Sequence, residues 1–565
     1  MIRSILLRCT LFLLACAGLP AAQGTILDTK HNLSVSGPGS FRASSESEVC
    51  VFCHTPHGSR TDAPLWNRAD SRQSYLTYDS STFQGVIGQP TGSSKLCLSC
   101  HDGSLALGQV LDSPSEITMR PGKRFLDRGP SFLGTDLGDD HPVSFHYASS
   151  RGGSGLEFKD EQSIVPPVHL DPNGDLQCTS CHDPHDDRQG NFLLVTDRNS
   201  TLCLACHDPE GWREGAHGSS HVSERGSLTD PLELRYDTVG ENGCAACHEP
   251  HGGESGERLL RHADEEQNCL GCHDGGVVRP SIAADLSKPS RHTPFTTLGL
   301  HDPTEDPLSM ARHSECQDCH DPHSAREEAV AAPGVPGPLI GASGLDGAGQ
   351  AVAQIRFGFE LCYKCHADNR GSPTVIPRQV VQSNVRLEFD PSNPSFHPVE
   401  AAGTNANVPS LIPPWTTASR VTCTDCHASE DSPAFGGNGA AGPHGSIFSP
   451  LLGARYETAD RTQESAAAYA LCYKCHSRDS ILSDRSFKRH REHIVEERAP
   501  CSACHDPHGI SSAQGNSTNH SHLINFDVSI VSSGSSNRLE FVDRGTFRGS
   551  CTLRCHGESH SDEDY

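Results

Sequence analysis

A mostly irregular chain with short α-helices and little β structure is what this sequence predicts, folded around material other than its own side chains. Hydrophobic residues make up only 35% of 565, with 3 Met and 3 Trp, too few for an ordinary core of that size. Frequent turn-formers, 53 Gly and 38 Pro, interrupt the chain and leave little room for long regular elements. Finally, 26 Cys and 34 His are far more than a cytosolic enzyme carries.

Residues 1–22 have the layout of a secretory signal: Arg3 and Arg8, an apolar run from Cys9 to Leu19, then small residues at Ala21 and Ala22. The run is too short for a stable membrane anchor. Within it the stretch 13–16, LLAC, resembles a bacterial lipoprotein box with Cys16 as the lipidated residue. Leu14 is not the small residue such boxes prefer, so a lipid anchor at Cys16 and free secretion both stay open. No other stretch is apolar enough to span a bilayer, and the expectation is an exported protein without a transmembrane span. The formal charge of −26, more negative still once Arg3 and Arg8 leave, repels nucleic acid and favours basic proteins, cationic surfaces or metal ions as partners.

The cysteines are spaced for one chemistry. CxxCH occurs at Cys50/Cys53/His54, Cys97/Cys100/His101, Cys178/Cys181/His182, Cys203/Cys206/His207, Cys244/Cys247/His248 and Cys269/Cys272/His273. It recurs at Cys316/Cys319/His320, Cys362/Cys365/His366, Cys423/Cys426/His427, Cys472/Cys475/His476 and Cys501/Cys504/His505. A twelfth, CTLRCH, is one residue wider, with Cys551, Cys555 and His556. The two remaining cysteines, Cys9 and Cys16, fall in the leader. A zinc site needs two CxxC units per metal and no following histidine. Invariant histidine instead marks covalent haem c attachment, with the histidine as proximal iron ligand. Twelve haem c groups are expected, the one at Cys551/Cys555 being the least regular. At roughly 45 residues of mature chain per motif, the porphyrins would be the apolar interior, and the chain a wrapping of loops and brief helices starting around CxxCH.

A second histidine follows a proline in the segments CHTPH, CHDPH, CHEPH, CHDPH and CHDPH, giving His57, His185, His251, His323 and His508, with His444 reached after an insertion. Three residues of chain span at most about 10 Å, so this histidine cannot reach the far face of the iron held by its own motif. The nearest other iron is that of the next motif, and the expectation is that each proline turn aims its histidine there. The first haem of each pair then takes a histidine ahead of it, because methionine is too scarce. Candidates are His31, His141, His217 or His221, His292, His397, and His490 or His493. His146, His169, His262, His301, His313, His520, His522 and His560 read as solvent-facing.

The chain thus divides into six dihaem modules after the leader: 23–133, 134–212, 213–283, 284–375, 376–482 and 483–565. From His31 to His556 it resembles the multihaem c-type cytochromes with doubled CxxCH motifs found in metal-respiring bacteria. That resemblance implies a haem-cored, elongated fold with bis-histidine haems in a continuous stack. Residues 331–353, rich in Gly, Ala and Pro, are expected to be a mobile loop, 124–147 predicts a short hairpin, and the basic 487–493 cluster reads as a solvated face.

The function expected is electron conduction or storage in the periplasm or on the outer surface, in respiration to an extracellular or terminal acceptor. Redox proteins or a metal oxide would be the partners, and no residue need act as an acid or base. The rival reading is a multihaem reductase of a small nitrogen or sulfur oxyanion with one open iron, most plausibly at His556 or His54; no CxxCK motif is present.

Overall fold

The computed structural model describes residues 25–60, 63, 65–126, 129–151, 158–223, 235–296, 299–369, 374–534 and 536–565. The leader and Cys16 lie outside the described residues. The fold is mostly irregular, with few short helices and mostly two-residue strands. No helix among the described residues is long and apolar enough to cross a membrane.

Regular structure gathers at the cysteine motifs, and the two motifs of a module differ. Three second motifs sit at the ends of helices, Gly92–His101, Glu265–His273 and Gly358–His366, while the second motif beginning at Cys203 is a 3-10 turn, Cys203–Ala205, and that at Cys472 runs on from the short helix Ala470–Tyr473. First motifs sit in single 3-10 turns such as Cys50–Phe52, Cys178–Ser180 and Cys423–Asp425. Helix Gly358–His366 shows why the preceding residues matter. The Glu360 carboxylate accepts from the backbone N–H groups of Arg356 and Phe357, satisfying donors that a helix start leaves free. Phe359 and Tyr363 then turn inward with Leu345, Phe389 and Val399.

That patch is one of several small apolar clusters, each beside a motif. Ala43, Phe52, Leu107 and Met119 pack against Cys53 and Cys100. Ala499, Ala503, Phe526, Val531, Phe541 and Leu553 pack against Cys504, Cys551 and Cys555. Clusters of four to six residues cannot by themselves offset the ordering entropy of a chain this long, in line with an interior completed by other material.

Contacts divide the chain into two units. The first comprises 1–78, 84–150 and 160–197, and the second 79–83, 151–159 and 198–565. The division after residue 197 falls inside the expected module 134–212, between His182 and Cys203. In the first unit the buried Arg68 guanidinium donates to the Ser99 hydroxyl and to the carbonyls of Ser99, Ala106 and Leu107, tying the segment after the first motif to the second motif's helix.

Two loop expectations change. Segment 331–353 is docked rather than mobile. Gly344–Leu345 pairs antiparallel with Ala351–Val352, Leu345 is fully buried against Tyr363, and the Pro338 carbonyl meets Nδ1 of His320 at 2.8 Å. Its Gly and Pro content serves close approach: a Cβ on Gly337 would come within 2.5 Å of the Arg326 carbonyl oxygen. The 124–147 hairpin does not form among the described residues. Asp136–Leu137 pairs with Leu76–Thr77 and Phe145–His146 with Asp175–Leu176, so each half finds a distant partner.

Replacing Leu345 by Ala should cost about 2–5 kcal/mol and expose 331–353 to limited proteolysis, checked by chemical denaturation and by mapping the first cleavage sites.

Candidate functional site

Eleven motifs share one backbone device. In eight the histidine N–H donates to the carbonyl of the first cysteine four residues back, at 2.7 to 3.0 Å, as in His54 to Cys50, His248 to Cys244 and His505 to Cys501. His101, His273 and His366 end helices that contain their whole motif. One helical turn brings both thiols and the imidazole to the same side of the chain, the arrangement two thioethers and an axial ligand require.

The second cysteine of a motif also anchors the chain that follows. The N–H groups of Cys181 and Cys247 close their turns on the carbonyls of Cys178 and Cys244, each at 3.2 Å. Their own carbonyls then accept from Leu194 at 2.8 Å and Arg261 at 3.0 Å, where the chain returns past the motif. The carbonyls of Cys53, Cys426 and Cys504 accept in the same way from Asn67, Gly453 and Asn525, each at 2.9 Å. Cys272 differs: it lies within helix Glu265–His273, and its carbonyl takes Val278, only six residues on, at 3.0 Å. Cys206 and Cys475 accept instead from segments ahead of their motifs, at Lys159 and Ile412. All of these cysteines except the exposed Cys426 are half-buried, and none is in a disulfide. Sequence assigned Cys181, Cys247 and Cys272 a thioether alone; their backbone role in fastening the return segment was not visible there.

Among the described residues, nine motif histidines are seen to face a second imidazole. His54 faces His185 with ring centroids 6.1 Å apart, His248 faces His323 at 6.3 Å, His320 faces His444 at 6.1 Å, His427 faces His508 at 6.1 Å, and His505 faces His490 at 6.4 Å. His101 faces His31 at 6.1 Å, His273 faces His217 at 6.1 Å, His366 faces His292 at 6.3 Å, and His476 faces His397 at 6.5 Å. Rings joined by a direct hydrogen bond would have centroids about 5 Å apart. Rings sharing one metal ion through nitrogen bonds of about 2.0–2.1 Å would have them about 6.3 Å apart. The spacing therefore fits an iron between each pair, and the residues present fit haem c.

The partners follow a register different from the one the sequence suggests. His185, His323, His444 and His508 face the first motif of the preceding module, not the next motif in their own, and the upstream His31, His217, His292 and His397 face the second motif rather than the first, whereas the upstream His490 faces the first motif of its own module, at His505, as expected. The physical reason lies in the proline carbonyl. Nδ1 of His31, His217 and His292 each donates to the carbonyl of Pro184, Pro322 and Pro443 at 2.9 Å, and Nδ1 of His397 to that of Pro507. One Pro-His turn thus presents its own imidazole to one motif and orients the imidazole facing another. Holding Nδ1 protonated leaves Nε2 with its lone pair free to bind metal.

Burial reinforces that state. It pushes His248, His273, His366, His427, His444, His476 and His505 down to about 4 and His490 to about 3, so each is neutral at neutral pH. His508 differs: burial would lower it, but the Glu388 carboxylate 2.9 Å from Nδ1 outweighs that and raises it.

The motifs themselves touch from one module to the next. The first cysteine of a second motif lies near enough to the first cysteine of the following module for the two thiols to interact electrostatically: Cys97 with Cys178, Cys203 with Cys244, Cys269 with Cys316, Cys362 with Cys423 and Cys472 with Cys501. Within modules, Lys364 Nζ donates to the carbonyl and carboxylate of Asp318, and Lys474 Nζ to those of Asp425. These lysines and aspartates fill the variable positions of CYKCH, CQDCH and CTDCH. The twice-repeated CYKCH was the available sequence signal for them.

Other predicted residues are placed as follows. His182 donates Nδ1 to the Asn191 carbonyl, His141 meets the Pro142 carbonyl, and the His207 ring lies 4.8 Å from Phe158. His251 and His221 are exposed. The His57 imidazole is exposed and faces no other histidine among the described residues. His301 and His520 are buried, against the solvent-facing expectation. His493 and His560 pair at 6.2 Å, although sequence places His560 toward solvent. In the 487–493 cluster Lys488, Arg489 and Arg491 are exposed, as expected of a solvated face, while His490 turns inward against His505.

The twelfth motif is built otherwise. Cys551 and Cys555 lie in strand Gly549–Cys555, central in an antiparallel sheet with Val531–Ser532, Glu540–Asp543 and Glu558–Asp564. Four residues of extended chain separate the two Cα atoms by about 13 Å, where the other motifs use a single turn. His556 Nε2 lies 2.7 Å from Asp460 Oδ1 rather than opposite an imidazole. The inserted residue removes the three-residue cysteine spacing that closes a turn, so eleven motifs are alike and the one at Cys551/Cys555, expected to be the least regular, stands apart.

The family model for the doubled CXXCH motif matches residues 171–211 and 237–277. No curated protein matches the chain. The doubled motif supports a multihaem c-type cytochrome.

The buried histidines set a pH dependence. They titrate near 6.5 when unfolded and near 4 in the fold. Between those values the unfolded chain binds more protons, so stability is full above about pH 6.5 and falls as pH drops toward 4. Urea unfolding midpoints measured across that range should decline steadily, with His508 opposing the trend.

Proposed function

We propose that the chain is an exported electron conduit or store, working in the periplasm or on the outer surface and exchanging electrons with redox proteins or an extracellular acceptor such as a metal oxide. The single observation carrying this reading is the set of paired imidazoles at about 6 Å. Haem c held there would supply one-electron exchange at an iron with both axial positions filled. Cys50 and Cys53, with their equivalents in the ten other single-turn motifs, among them Cys181, Cys247 and Cys272, would fix the porphyrin edges. His54, His101, His182, His207, His248, His273, His320, His366, His427, His476 and His505 would be the proximal ligands. His185, His323, His444, His508, His31, His217, His292, His397 and His490 would be the opposing ones. Filling both positions excludes substrate from these irons, and the thiol contacts between consecutive motifs favour close spacing of the centres.

The reductase reading has one observation in its favour, the motif at His556, where Asp460 and Glu497 rather than an imidazole lie against the ring. A haem at that place requires strand Gly549–Cys555 to leave its sheet and re-form as a turn.

Three measurements on purified holoprotein test the proposal. His185→Ala should convert one low-spin ferric iron to high-spin by electron paramagnetic resonance, whereas His57→Ala should leave the count unchanged; the opposite result would restore the within-module register. Intact mass should show eleven haem additions; twelve would mean that the C-terminal sheet opens. Reduced protein should be reoxidised by an electron acceptor without turning over nitrite or hydroxylamine.

A further inference from the structure

Two histidines outside the facing imidazole pairs, His301 and His313, meet in the second unit, the latter just ahead of Cys316. Nδ1 or Nε2 of His301 and His313 and one carboxylate oxygen each of Glu315 and Asp318 all lie within 4.8 Å of one another. The separations are 3.2 Å from His301 Nδ1 to Glu315 Oε2, 3.7 Å from His313 Nε2 to Glu315 Oε2, 3.4 Å from His313 Nε2 to Asp318 Oδ2, and 3.8 Å from His301 Nδ1 to Asp318 Oδ1. A cation with bonds of about 2.1 Å in a tetrahedral shell spaces its ligand atoms about 3.4 Å apart, the middle of that range.

Charge points the same way. His301, Glu315 and Asp318 are buried and His313 is nearly so. Glu305 adds a third carboxylate: its Oε2 is enclosed, has no hydrogen-bond donor, and lies 3.3 Å from His313 Nε2. Against these three acids stands one ammonium, Lys364, 3.0 Å from Asp318 Oδ1. The nearby Glu265 is satisfied separately, by the N–H groups of His301 and Gln317. With both imidazoles neutral, the carboxylates of this enclosed pocket outnumber its cations even with Arg258 beside His301, an arrangement that is costly and that one divalent cation would relieve.

We propose that His301, His313, Glu315 and Asp318, with Glu305 as an added oxygen donor, form a non-haem site for a divalent first-row cation of the zinc class. Two imidazole nitrogens disfavour calcium and magnesium, which take oxygen shells. Asp318 lies inside turn Cys316–Cys319 and Glu315 caps it, while Lys364 belongs to helix Gly358–His366. The cation therefore clips segment 301–315 onto the first motif of the pair and sets a positive charge beside both motifs.

The test uses the full-length holoprotein, stripped with a chelator, dialysed against micromolar zinc chloride, and analysed for zinc per protein together with zinc-edge X-ray absorption. One equivalent with the scattering signature of two imidazoles is expected. His301→Ala/His313→Ala should lose that equivalent with haem content unchanged. Because that variant lies near Cys316 and can fail to mature, Glu305→Gln provides a second arm, expected to weaken zinc binding about 10–100-fold. His169→Ala, an exposed control in the other unit, should bind zinc as the parent does. No retained zinc in the parent protein, retention undiminished in both site variants, or an edge spectrum without imidazole scattering would overturn the proposal.

Discussion

Two imidazoles held about 6 Å apart and facing each other are too far apart to bond directly, and the rest of the molecule is arranged around that gap. Burial keeps most of these rings neutral, and a neutral pair so spaced carries lone pairs that the two rings cannot satisfy by bonding to each other. A haem iron held in that gap would accept both lone pairs. The small apolar clusters, the single-turn motifs and the carbonyls that fix the ring tautomers all act to hold this spacing.

The Pro-His turn gives the arrangement its continuity. Proline cannot donate a backbone hydrogen bond and stops a helix, so the chain turns immediately after the first motif and leaves the proline carbonyl free to accept. That carbonyl holds one imidazole while the next residue supplies another. A two-residue unit therefore fixes the geometry of two separate centres, and the lysine to aspartate ties at Lys364 and Lys474 keep the paired motifs of a module together. Both devices use backbone or motif-internal atoms, so they require no large side-chain core.

Much of this is legible in the sequence. The motifs mark eleven single turns because cysteine spacing of three residues and a histidine immediately after it are a local, helical constraint. The carbonyls of Cys181 and Cys247 are not legible as anchors, since Leu194 and Arg261 carry no motif and meet them only once the chain has doubled back. The proline-borne and upstream histidines are legible as a class, since repetition marks them. The direction in which each reaches is not: chain length limits how far His185 can go but does not choose between the iron ahead and the iron behind, and the deciding contact, His31 to the Pro184 carbonyl, spans 153 positions. Composition misleads at 331–353, where glycine and proline permit close docking instead of mobility. His301 and His313 read as surface residues because only tertiary contact brings them to Glu315 and Asp318. The widened Cys551 to Cys555 interval is visible as a departure, but its extended strand depends on three pairing partners elsewhere in the chain.

The backward reach of each Pro-His turn bears on how such a chain can lengthen or shorten. Because His323, His444 and His508 repeat one hook toward the motif before them, a whole repeat inserted or excised at a joint of that kind leaves two new neighbours that still match, as overlapping roof tiles do. A cut made anywhere else strands a hook without its socket. Growth by duplication of the complete unit is thus the evolutionary step that this geometry leaves open.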